Sequence, residues 1–140
     1  MCCGEESPSS TPRVGARVDF FSQTQGSLGN LLFLNPSSPS SPLATHARFS
    51  PKEGVVMDTD DSVLVSIHLS GDMTKSIKDC GLFRQFTLQN SSDKAHQMVL
   101  DESLSLDVGQ NGIIGRRVSM MKEGKLLGDG IVGFNSVLVV

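Results

Sequence analysis

The side chains that could carry covalent or metal chemistry are few and scattered. Three cysteines, Cys2, Cys3 and Cys80, include an adjacent pair. An odd number with two neighbours cannot build a disulfide framework, so a reducing compartment is expected. His46, His68 and His96 lie far apart, with no Cys-x-x-Cys or His-x-x-x-His spacing. Neither a zinc site nor any other metal or cofactor is expected. Asp58, Asp60 and Asp61 fail as a calcium loop, because Val63 stands where glycine is needed and no glutamate closes twelve residues. Gly128-Asp129-Gly130-Ile131-Val132-Gly133 spells G-x-G-x-x-G, but only seven residues follow it. That leaves no room for a crossover helix and second strand, so dinucleotide binding is not expected. No Gly-x-Ser-x-Gly elbow is present either, and the chain reads as a non-enzyme.

Short recognition motifs are more numerous. Arg17-Val18-Asp19-Phe20 resembles the R-V-x-F motif by which regulators dock on type-1 protein phosphatase. Such a segment adds to a sheet edge as an extended peptide, with Val18 and Phe20 entering apolar pockets and Arg17 supplying charge. Five of six prolines follow Ser or Thr, which makes Ser7, Thr11, Ser38, Ser41 and Ser50 candidate sites for proline-directed kinases. Arg116-Arg117-Val118-Ser119 has the R-R-x-S pattern of basophilic kinases, with Ser119 as acceptor. Cys2 and Cys3 are candidates for double acylation, which would tether the chain to a membrane. Leu28, Leu31 and Leu32 form an L-x-x-L-L box, the mark of a nuclear cofactor, although Gly29 and Asn30 disfavour its helix. Leu138-Val139-Val140 resembles a PDZ ligand.

The elements that would position these motifs divide by composition. All six prolines and ten serines fall in residues 1–51. There the apolar residues form two islands, around Val18–Phe21 and Leu28–Leu34. At roughly 25 cal/mol per Å² buried, two such islands do not offset about 1–2 kcal/mol of backbone entropy per residue. Residues 1–54 are therefore expected to be a largely disordered, Ser/Pro-rich, motif-bearing segment. Residues 55–140 are expected to form a small antiparallel β-rich unit. Val63, Val65, Ile67 and Leu69 alternate with more polar neighbours, as do Met98, Leu100, Leu104, Leu106 and Val108. An Asn111-Gly112 pair signals a hairpin leading into Ile113–Met121. In an α+β variant, Ser92 caps a helix over 92–104.

The net charge of −3 argues against nucleic-acid binding. No apolar run approaches the ~18 residues of a membrane span, and the N-terminus lacks a signal-peptide pattern. The expectation is a non-enzymatic regulatory or adaptor phosphoprotein of the cytoplasm or nucleus. Its partners would be type-1 phosphatase and Ser/Thr kinases, with a membrane-tethered scaffold and a nuclear cofactor as alternatives.

Overall fold

The computed structural model describes residues 13–38, 40–52, 63–88, 96–109 and 111–136. Nine strands cover most of them: β1 (Arg13–Ser22), β2 (Gly26–Leu34), β3 (Leu43–Pro51), β4 (Val63–Ile67), β5 (Arg84–Leu88), β6 (His96–Val108), β7 (Gly112–Ile114), β8 (Arg117–Lys122) and β9 (Lys125–Ser136). One 3-10 turn, Ile77–Cys80, is the only helical element among the described residues. All nine strands join one sheet in the order β5-β4-β8-β9-β1-β2-β3-β6-β7. Every ladder is antiparallel except β6 with β7.

This overturns the expected fold class. Residues 13–51 are not disordered; they supply three strands, and β1 and β2 are central ones with a neighbour on each side. The Ser/Pro tract at 35–42 is the connection between β2 and β3. The expectation failed because it weighed each apolar island only against itself. In the sheet, Val18, Phe20, Leu31, Phe33 and Phe49 bury against Val65, Val118, Met120 and Val132 from the second half. Burial is non-local, so half a chain cannot be judged by its own apolar content. The α+β variant is overturned too, since 96–108 is strand. The division placed near Gly54 falls in residues 53–62, outside those described.

The sheet curls into an open half-barrel. Laid flat, the five steps from β5 to β2 would span ~24 Å at about 4.8 Å each. Instead the Phe86 ring on β5 meets the Phe33 ring on β2 edge-on, with centroids 6.1 Å apart. Apolar side chains of alternate residues fill the concave side, including Ala16, Val18 and Phe20 on β1 and Val63, Val65 and Ile67 on β4.

Local chemistry sets the corners. Glu123 (φ 52°) and Gly124 (φ 79°) make a primed two-residue turn between β8 and β9. Gly128 and Gly130 of the G-x-G-x-x-G string sit where β9 crowds β1, whereas Gly133 has open space. A Cβ on Gly128 would lie 2.8 Å from the Phe21 carbonyl oxygen, and one on Gly130 would overlap the Asp19 carbonyl. Two further expectations change. The alternation of β4 stops at Ile67, and Leu69 turns outward at 55% exposure. The hairpin expected at Asn111-Gly112 is absent, because β7 runs parallel to β6 and ends at Ile114 before β8 begins.

Candidate functional site

The eight strands from β5 to β6 alternate in direction, so β5 and β6 run in opposite directions at the two ends of the curl. They touch, yet among the described residues no ladder joins them. β7 takes up the free edge of β6 at Ser105–Val108. The chain then continues to β9, where the Gly115 amide donates to the Val132 carbonyl at 2.8 Å. Among the described residues, β6 pairs with β3 at His96–Val99 and again from Leu104, with a register shift between, and β5 pairs with β4. The sheet therefore presents two strand edges across one gap.

The core is incompletely closed along this gap. Five apolar residues pack against the core while remaining partly exposed: Phe83, Phe86, Met98, Ile114 and Leu127. Phe86 is on β5 and Met98 on β6, while Phe83 precedes β5 and Ile114 is on β7. By contrast, Val18, Phe20, Leu31 and Phe33 on the central strands are fully buried. Both edges carry charge. Arg84 is exposed on β5, and Asp101 and Glu102 are exposed on β6. Neither acid has a basic partner among the described residues.

The β5 lip is held by a buried polar clasp. After β4 the chain leaves the sheet at His68, crosses its outer face and returns at Phe83, whose amide donates to the Ile67 carbonyl at 2.7 Å. Ser66, Ser119 and Asp129 are register partners across β4, β8 and β9, on the side opposite the core. The His68 ring spans this row and the excursion, with Nδ1 2.6 Å from the Gly81 carbonyl and Nε2 2.8 Å from Ser119 Oγ. A carbonyl only accepts, so Nδ1 carries the proton and the Ser119 hydroxyl donates to Nε2. Arg117 donates to Asp129 through Nε at 2.9 Å and through Nη2, and its Nη1 donates to the Lys75 carbonyl at 2.7 Å. Burial alone would lower the pKa of this guanidinium, but its bonds to Asp129 and to Cys80 raise it on balance. Cys80 is itself buried, with Sγ 3.5 Å from the Asp72 carbonyl oxygen. Asp72 accepts both the amide and the hydroxyl of Thr74, and these bonds hold its carboxyl below the usual range. Outside the clasp, Phe83 lies between the guanidinium groups of Arg84 and Arg116, at 4.4 and 4.0 Å from the ring centroid.

A serine hydroxyl on an imidazole oriented by an acceptor is the arrangement of an activated nucleophile. Here Ser119 is 0% exposed and His68 5%, so no substrate reaches Oγ in this conformation. The pair fastens the excursion to the sheet.

The sequence-derived site residues fall as follows. Val18 and Phe20 are fully buried, and both edges of β1 are paired; Arg17 is exposed and bonds Asp19 at 3.0 Å. Docking as an extended peptide would require pulling a central strand out of the sheet. Ser119 is buried, Arg117 pairs with Asp129, and Arg116 donates to the carbonyls of Gly112, Leu69 and Gly109. Ser38 is exposed beside the β2–β3 connection, whereas Ser41 and Ser50 are half-buried. Leu28 and Leu31 are core residues of a strand, not of a helix. Cys2, Cys3, Ser7, Thr11 and residues 138–140 lie outside the described residues.

Arg117 and Ser119 stand in the R-R-x-S string and Asp129 in the glycine string, but neither string points to His68 or Cys80, which only the pairing of distant strands brings to them. No helix among the described residues is long and apolar enough to cross a membrane, and none of their His, Cys, Asp and Glu side chains group as metal ligands. Comparison with protein-family models, curated proteins and solved structures returned no match.

Proposed function

We propose that this protein is a non-enzymatic binding module that takes up an extended segment of a partner protein in the seam between β5 and β6. The class of function is the interaction protein expected from the sequence, but the contact surface moves from a flexible tail to a rigid edge. One observation carries the reading: among the described residues no ladder joins β5 to β6, and Phe86 on the one and Met98 on the other pack against the core while staying partly exposed. An inserted strand would satisfy edge amides and carbonyls while covering Phe86 and Met98, which is how sheet-edge recognition gains both affinity and selectivity. β7 already occupies part of the same β6 edge, so that edge accepts a further strand. The clasp supports the role by holding the β5 lip in place before a partner arrives, which reduces the ordering penalty on binding.

Amide hydrogen exchange with and without a blocked peptide alternating valine and threonine tests this. Amides of 84–88 and 96–104 are expected to slow on peptide addition while those of β1 and β2 stay unchanged. A peptide of the same sequence with methylated backbone nitrogens should have no effect. Absence of protection at both edges with the parent peptide refutes the reading.

A further inference from the structure

We infer that Ser38 is the serine this fold offers to a proline-directed kinase, and that the phosphate it receives is displayed on the surface without loosening the sheet. The inference is independent of the strand-accepting seam. Three serines followed by proline lie among the described residues, Ser38, Ser41 and Ser50. Their surroundings differ. Ser50 stands in β3 opposite Asn30 of β2 and is half-buried, so reaching a kinase means withdrawing it from a ladder. Ser41 is half-buried too, in a small cleft that it shares with Pro42, Leu106, Asp107 and Phe134. Its hydroxyl oxygen accepts from the Leu43 amide at 3.1 Å, and a phosphate there would bring negative charge into the cleft that Asp107 already lines.

Ser38 is exposed, as are Pro36, Ser37 and Ser40 around it. Its backbone is anchored while its hydroxyl is not. The Ser38 amide donates to the Asn35 carbonyl at 3.1 Å and to Asn35 Oδ1 at 3.2 Å, and the Ser38 carbonyl accepts from the Ser41 amide at 2.9 Å. Asn35 Nδ2 donates to the Leu43 carbonyl at 3.2 Å, which ties the two ends of the connection together. Among the described residues no hydrogen bond engages Ser38 Oγ. Esterifying that oxygen therefore breaks no contact of the fold. A kinase takes its acceptor as an extended segment, and around Ser38 only bonds between residues three apart have to open, which is the low-energy end of local opening. Ser119 is the opposite case: it completes the R-R-x-S pattern, but it is 0% exposed and donates to His68, so the fold withholds it. In the transfer, the γ-phosphoryl group of ATP leaves the β-phosphate and bonds to Ser38 Oγ, the hydroxyl proton passes to the kinase's base, and ADP departs. Residues 20–45 carry no Asp, Glu, Lys or Arg, so a phosphoserine would be the one ionised side chain on that stretch. An isolated charge of that kind is what a partner's arginine cluster reads.

The test treats the full folded chain with a kinase of the proline-directed class and ATP, and follows each serine by peptide mass spectrometry. A synthetic peptide covering residues 34–52 is the unfolded reference, and each rate is divided by the rate of the same serine in that peptide. The normalised rate at Ser38 is expected to exceed those at Ser41 and Ser50 by roughly tenfold or more, which corresponds to about 1.4 kcal/mol of extra opening energy at the other two. A basophilic kinase should leave Ser119 unmodified in the folded chain. The display is tested in a chain carrying Ser7→Ala and Thr11→Ala, so that Ser38 is the site modified. Its urea midpoint should stay within about 0.5 M of the unphosphorylated chain, as an exposed change with no lost contact allows. Equal normalised rates at the three serines, or no phosphate on Ser38 in the folded chain, overturn the assignment of the site. A larger fall in the midpoint overturns the display.

Discussion

Phe20 and Val18 separate a folded N-terminal third from a flexible one. In a flexible segment, Val18→Ala and Phe20→Ala would leave stability unchanged. In the sheet both residues are 0% exposed, and the Phe20 ring packs 6.3 Å from that of Phe49. Truncating a fully buried phenylalanine to alanine costs about 3–5 kcal/mol, as lost transfer energy plus the cavity left behind. Removing two methyl groups from Val18 costs about 2 kcal/mol on the same reasoning, at ~0.8 kcal/mol per carbon before the cavity is counted. Against a total stability of roughly 5–15 kcal/mol, the first change takes a large share. Urea unfolding followed by circular dichroism is a suitable assay. With a slope of about 1–3 kcal/mol per molar, Phe20→Ala should lower the midpoint by ~1–5 M. Arg17→Ala is the control: its exposed pair with Asp19 is worth less than about 1 kcal/mol, so the midpoint should barely move. Equal midpoints for wild type, Phe20→Ala and Arg17→Ala would refute the placement of β1 in the core.

The clasp makes two further predictions. Asp129→Asn leaves the Arg117 guanidinium, 8% exposed, without its counter-ion, so a loss of ~3–5 kcal/mol is expected by urea unfolding. Ser119→Ala removes the donor to His68 Nε2 and should cost about 1–3 kcal/mol, with faster amide exchange across 68–83. Asp72 sets part of the acid dependence. Because its folded carboxyl titrates below the ordinary range, the folded state holds fewer protons there, and stability falls as pH drops through the lowered value. Asp72→Asn should therefore flatten the dependence of the urea midpoint on pH between about 5 and 2, and the two proteins should converge at the acid end.

The sequence by itself determined the strand segments that alternate visibly, such as Val63–Ile67 and much of 98–108. It also showed that no standard ligand spacing was present. Alternation is a property of neighbouring residues, so it can be read from them. Tertiary structure decided the rest. It placed Val18 and Phe20 in the core and not on a docking peptide, because Val18 lies opposite Val132 of β9 and Phe20 packs on Phe49 of β3. It turned Gly128 and Gly130 from a nucleotide motif into points of close strand contact. It gathered His68, Cys80, Arg117, Ser119 and Asp129 at one excursion, and among the described residues it left β5 and β6 without a ladder between them. Pairing, curl and closure depend on which strands meet, and that is settled by the summed burial of the whole chain, not by any local stretch of it.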